Sequence, residues 1–216
     1  AYSQVHVILS TSKMKKLFII VFFLQLISCN QVKEFLEPKV QVTIEIQPFS
    51  DMSKVTVDSV FSQLKKIYPN IYLLKPIAIP KNAFYSPRNR YRADSIINYL
   101  KERSPKNHIT IGLTTKDISH TRGNIPDFGI MGLGFMPGNS CVVSSFRLSK
   151  KDKESQFFKV CIHELGHTTG LPHCEVKTCF MRDANGGNPI NEETGFCKKC
   201  KDHLISKGWN FESELE

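Results

Sequence analysis

No apolar run in this chain of 216 residues reaches the about 20 that a membrane-spanning helix needs, so no segment reads as a transmembrane helix. Internal repeats are absent, which excludes a solenoid or propeller. Low-complexity tracts are absent too, which excludes long disordered linkers. The charge is not one-sided enough to set function. Lys and Arg number 29 against 20 Asp and Glu, a net +9. Much of the excess sits in short runs such as Lys150-Lys151 and Lys198-Lys199, which read as solvated surface rather than a nucleic-acid footprint. What is left is a globular composition, 41% hydrophobic, and a length that suits one domain with a small appendage.

The chemistry concentrates in His163-Glu164-Leu165-Gly166-His167-Thr168-Thr169-Gly170-Leu171-Pro172-His173. Residues 153–169 carry a helical pattern, with Phe158, Ile162, Leu165 and Thr169 on one largely apolar stripe. A step of about 100° per residue puts His163 and His167 on nearly the opposite face, one turn apart. Two imidazoles at that spacing can grip one zinc ion, and Glu164 projects beside them. Gly170 suits a helix end that needs positive φ, and Pro172 bars further helix. The chain can then turn back and supply His173 as third ligand, leaving a fourth position open, which is the pattern of a catalytic zinc. Glu164 is placed to take a proton from water at the zinc and return it to a leaving amine.

His173 runs directly into Cys174, the first of four cysteines with Cys179, Cys197 and Cys200. Two close pairs held apart by a Gly-Gly-Asn-Pro linker are how small domains build a tetrahedral four-thiolate zinc site. The rival is two disulfides, which an exported compartment permits. The Cys-x-x-Cys spacing favours metal, because it is strained as a structural disulfide. Cys141 and Cys161 read as small buried thiols, with a disulfide between them as the alternative.

The first residues point to export. Lys15 and Lys16 form a basic start to an apolar run over residues 17–27, broken only by Gln25, which suits a signal-peptide core. It ends Leu26-Ile27-Ser28-Cys29, which resembles the lipobox of bacterial lipoproteins. That resemblance implies cleavage before Cys29, lipid on its thiol, and residues 1–13 as an upstream extension; the alternative is an ordinary secretory signal with an incidental cysteine. Removing Lys13, Lys15 and Lys16 lowers the net charge from +9 to +6. The expected organisation is extension and signal at 1–28, a lipidated tether at 29–39, a catalytic domain at 40–173 and a four-cysteine subdomain at 174–216.

Alternation of Val40, Val42, Ile44 and Ile46 with polar residues predicts a strand with one buried face. Residues 55–67 read as a helix with Val57, Val60, Phe61 and Leu64 on one side, ending before Pro69. Residues 93–103 read as a second helix, striped by Ile96, Ile97 and Leu100. Further strands are expected at 71–79, 108–113, 128–135 and 142–148. The result is an α/β (α+β) fold: a twisted mixed sheet of about five strands, two backing helices and the active-site helix below. The loop 117–127 and the glycine-rich stretch 129–138 are expected to border the cleft. Asp117 and Asp127 read as turn residues, Tyr85, Arg88, Arg90 and Tyr91 as loop packing, and His108, His120 and His203 as surface or satisfied histidines.

His163 to His173, then Cys174-x4-Cys179-x-Met181 and later Cys197-x-x-Cys200, resemble the archaemetzincins, a branch of the metzincin zinc peptidases. The resemblance implies His163, His167 and His173 on a catalytic zinc, Glu164 as general base, Met181 as the Met-turn residue beneath it, and the four cysteines on a second zinc. It also implies that the strand in Val142-Val143-Ser144-Ser145-Phe146-Arg147-Leu148 is the edge strand that binds substrate. The chain departs from the pattern in a shorter interval from Met181 to Cys197 and in having no tyrosine after Met181. The expected function is peptide-bond hydrolysis with two zinc ions per chain and no organic cofactor. The protein would be a monomer, lipid-anchored at Cys29 to a bacterial membrane and not binding nucleic acid. The competing class is a binding lipoprotein that keeps the zinc scaffold; Glu164 argues against it, since binding alone needs no carboxylate at the zinc.

Mass spectrometry of the exported protein should find an N-terminal Cys29 carrying lipid, and Cys29→Ala should move it from the membrane to the soluble fraction. An unmodified Cys29 in a membrane-free protein would contradict the tether.

Overall fold

The computed structural model describes residues 42–211. The signal segment, Cys29, the tether and the first two residues of the expected strand at 40–46 lie outside them. The elements are β1 (Thr43–Pro48), α1 (Lys54–Ile67), β2 (Ile71–Leu73), β3 (Phe84–Tyr85), β4 (Arg90–Arg92), α2 (Ala93–Lys101), β5 (His108–Thr114), β6 (Ile118–Arg122), β7 (Ile125–Ile130), β8 (Gly132–Gly134), β9 (Ser140–Ser144), α3 (Lys153–Thr168) and α4 (Lys198–Ser206). No helix among the described residues is long and apolar enough to cross a membrane.

A five-stranded sheet in the order β2-β1-β5-β9-β8 forms the centre. Its first four strands are parallel and β8 runs antiparallel to β9. The mixed α/β class and the strand count agree with the sequence reading. Alternation of side chains explains how both faces are covered. Ile44, Ile46, Ile111, Leu113 and Val143 pack with residues of α1 and α3, including Leu64, Phe157 and Leu165. Val142 joins a second cluster with Ile96, Ile97 and Leu100 of α2. The two helices expected to back one face therefore lie on opposite faces. A Cβ on Gly112 would stand 2.8 Å from Leu100 Cδ1, so this glycine is what lets α2 approach β5.

Helix α1 starts at Ser53, whose hydroxyl accepts the Thr56 amide at 3.2 Å, a standard N-cap. Helix α3 departs from its expected stripe. Phe158 is only partly buried, while Phe157, Val160, Cys161, Leu165 and Thr168 are buried. The core cluster on this face also takes in Cys179, Cys200, Leu204 and Trp209, so the cysteine segment packs against the same helix. A helix covered from several sides has no single apolar stripe to read.

A second sheet, β3-β4-β6-β7, was not foreseen. The expected loop at 117–127 is an antiparallel hairpin, and the expected strand at 128–135 divides between the two sheets at Met131. Asp117 and Asp127 are not simple turn residues. Asp117 takes Arg147 through two bonds of 2.8 and 2.9 Å, and Asp127 takes Arg90 at 3.2 Å, with Arg90 also 3.1 Å from Asp117. These carboxylates are nearly buried and paired, as buried charges must be. The edge strand also differs from expectation: Ser140–Ser144 lies between β5 and β8, and β8 forms the edge.

Leu113, fully buried in the central strand, should cost about 2–5 kcal/mol when cut to Ala. Val55, 80% exposed, should change stability by about 0.5 kcal/mol or less. Denaturant unfolding of both variants checks this.

Candidate active site

Helix α3 ends in a Schellman turn. Gly170 has φ +97°, its amide reaches the His167 carbonyl at 2.9 Å, and the Leu171 amide reaches Gly166 at 3.2 Å. The left-handed residue foreseen at Gly170 is present, and glycine adopts it without a Cβ clash. The turn sends the chain back beneath the helix and brings His173 to His163 and His167. One nitrogen from each ring falls within 4.8 Å of the others.

Each ring is fixed by what lies behind it. His163 Nδ1 is 2.6 Å from the Phe180 carbonyl, and His167 Nδ1 is 2.7 Å from the Leu171 carbonyl. A carbonyl can only accept, so both Nδ1 atoms carry the proton and both Nε2 atoms are bare. Those Nε2 atoms face each other at 3.0 Å. Burial, with the neighbouring His167, pushes His163 down to about 3, and burial lowers His167 also. Neither ring then protonates near neutral pH to relieve the opposed lone pairs. A cation between them would. Zn–N bonds of about 2.0–2.1 Å at tetrahedral angles put nitrogens ~3.3 Å apart, close to what is found. His173 Nδ1 lies 3.5 Å from Asp183 Oδ2, and the Asn185 amide holds that carboxyl below its usual range. Carbonyl and carboxylate partners of this kind are how proteins orient metal-binding imidazoles.

Glu164 is 6% exposed and lines the same cavity, which measures about 640 Å³. Burial raises its carboxyl to about 8. A Cβ on Gly132 would overlap the Glu164 carboxylate, so the edge strand passes directly over it because it lacks a side chain there. Met181 is fully buried, and a Cβ on Gly166 would come 2.5 Å from its sulfur. The methionine therefore packs against the helix turn between the two histidines.

Cys174, Cys179, Cys197 and Cys200 also converge, with all sulfurs within 4.8 Å and Cys174 Sγ 3.7 Å from Cys197 Sγ. Zn–S bonds of about 2.3 Å at tetrahedral angles give ~3.8 Å between sulfurs, whereas a disulfide needs ~2.05 Å. The backbone amides of Met181 and Cys197 point at Cys179 Sγ, at 3.5 and 3.4 Å. Both clusters fit zinc. Cys141 and Cys161 are unpaired, buried thiols, and burial pushes both well up.

Sequence reading missed part of the cavity wall. The stretches 117–127 and 129–138 do border the cleft, but Arg122 on β6, Lys159 on α3, and Arg182 and Glu193 were not singled out. His120, read as an ordinary histidine, lines the cavity with Nδ1 3.3 Å from Asp94. No spacing rule marks such residues, because they come from different elements. His203 and His108 lie away from the cavity, against the Thr169 carbonyl and Glu45.

Comparison with known proteins agrees with this geometry. The model of peptidase family M54 matches residues 24–206. The archaemetzincin of Archaeoglobus fulgidus is 32% identical over 162 residues, covering 73% of this chain and 95% of that protein. The archaemetzincin of Haloarcula marismortui is 26% identical over 176 residues, covering 75% and 99%. The crystal structure of the A. fulgidus protein, complexed with malonate, superposes with a TM-score of 0.65 at 28% identity, covering 75% of this chain and 99% of that one. With a family match over most of its length and the three-histidine and four-cysteine clusters assembled as described, the chain belongs to peptidase family M54, beside the archaemetzincins.

Proposed function

We propose that this chain hydrolyses peptide bonds with two zinc ions, one held by His163, His167 and His173 and one by Cys174, Cys179, Cys197 and Cys200. The observation that carries the reading is the pair of bare Nε2 atoms at 3.0 Å, in a cavity that Glu164 also lines. Zinc at the histidines would supply Lewis acidity toward the scissile carbonyl and acidify water. Glu164 does the proton work: it takes the proton of the attacking water and gives it to the leaving amine. Its carboxyl rises to about 8 by burial alone, and a divalent cation next to it favours the carboxylate, the form a base needs.

Substrate would lie extended along β8. That strand has β9 on one side only, so its other edge can take a peptide strand by backbone hydrogen bonds. Gly132 and Gly134 keep the strand thin above Glu164, which brings a bound peptide close to the carboxylate. Met181 supports the histidines from below, and the cysteine cluster fixes the chain segment that holds them.

Metal analysis of the purified protein should give two zinc ions per chain; one or none would overturn the pair of sites. Glu164→Ala should lower peptide hydrolysis by about 100-fold or more at unchanged zinc content. Comparable rates in the two proteins would remove Glu164 as the base.

A further inference from the structure

Outside the three histidines and Glu164, the charged groups around the cavity are accounted for by partners in the fold, Arg122 by the Phe128 ring 5.0 Å away, with one exception. Arg147 is held by Asp117, Arg182 reaches Glu192 at 2.6 Å, and Asp183 faces His173. Lys159 uses its ammonium on the carbonyls of Ile190 and Glu193, at 3.0 and 2.5 Å. Glu193 is the exception. It lines the cavity, is only 5% exposed, and its carboxylate has no hydrogen bond or ion pair with any described residue. Its backbone is nonetheless pinned, by Lys159 at its carbonyl and by the Ile190 carbonyl at its amide, 3.2 Å away. A carboxylate of a largely buried residue that faces a ligand cavity with no partner in the fold is placed to meet a ligand there.

Resting on the peptidase reading above, we propose that Glu193 determines specificity by receiving a cationic group of the substrate, an alkylammonium or guanidinium. The source is a lysine or arginine side chain or the peptide's own amino terminus; both present the same chemistry. Lys159 does not fill this role: two of its three donors go to carbonyls and it makes no ion pair with the carboxylate. It sets the carboxylate's position and leaves its oxygens free. Burial, working against the attraction of Lys159 and Arg182, pushes the Glu193 carboxyl up to about 7, consistent with a group that lacks a partner of its own.

The test is binding to the zinc-loaded Glu164→Gln protein by calorimetry, so that no turnover is needed. Acetyl-blocked peptides carry lysine or norleucine at each position in turn, and a norleucine peptide is compared with and without its acetyl cap. One position, or the free amino terminus, should bind on the order of tenfold to a hundredfold tighter than its neutral counterpart. Adding Glu193→Gln should level that ratio, with zinc content and melting temperature measured to establish that the protein is folded. Equal binding of cationic and neutral peptides at every position overturns the proposal, as does a preference that survives Glu193→Gln. Because the first comparison needs no change at Glu193, a poorly folding variant does not protect the idea. Turnover by the wild type is measured separately: a wild type that cleaves none of the peptides contradicts the peptidase reading, while the binding ratio still decides the role of Glu193.

Discussion

The site depends on one short piece of chain, residues 171–183, held against the end of α3. The partners behind all three histidines come from it: Leu171 for His167, Phe180 for His163 and Asp183 for His173. So do His173 itself and Met181. Its path is set at one end by the left-handed Gly170 and at the other by the cysteine cluster, in which Cys174 follows His173 and Cys179 precedes Phe180. A backbone bond from the Cys174 amide to Met181 at 2.8 Å closes the segment on itself, and one from the Phe180 amide to Gly195 at 2.9 Å ties it to the chain before Cys197. The two clusters are therefore mechanically one object. Thiolates gathered on a metal would fix the segment, the segment would fix the rings, and the rings leave their bare nitrogens facing inward.

The rest of the fold serves to present this object to a cleft. The parallel strands β2, β1, β5 and β9 make a rigid floor, closed on both faces by helices, and α3 lies on it under a cover that includes the cysteine segment. The antiparallel β8 then offers an edge above Glu164. The second sheet forms the far wall; Asp117 ties it to Arg147, which follows β9, and Asp127 with Arg90 joins two of its own strands. Besides Glu164, Glu193 is the carboxylate lining the cavity that no group of the described fold pairs, which is why it carries information.

Much of the site was legible because its geometry is local. The spacing of His163 and His167 on one helix, the glycine at the helix end and the run from His173 into Cys174 each follow from backbone rules that need no distant contact. The central strands were legible for the same reason, through two-residue alternation. The second sheet was not. Its strands β3 and β4 are two and three residues long, and its hairpin carries His120, Arg122 and Asp127 toward a polar cleft and an arginine network. A strand that lines a wet cavity has no apolar face to reveal it. Residues 128–135 misled in the opposite way: one continuous pattern spans two sheets, with the Met131 carbonyl bonded to the Ser144 amide at 2.7 Å where they part. The buried face of α3 was also obscured, since packing from several sides replaced the stripe.

The central claim is that the cysteine cluster holds the histidine site in register. It is tested most directly by zinc affinity at the histidines in Cys200→Ser, a substitution away from every residue that touches an imidazole. Competition with a chelator, monitored by metal released per chain, reads both sites in one titration. The account predicts loss of one zinc and weakening of the other by about 10–100-fold, because the segment behind the rings is no longer fixed. Retention of one zinc at wild-type affinity would contradict it, and would make the two clusters independent neighbours.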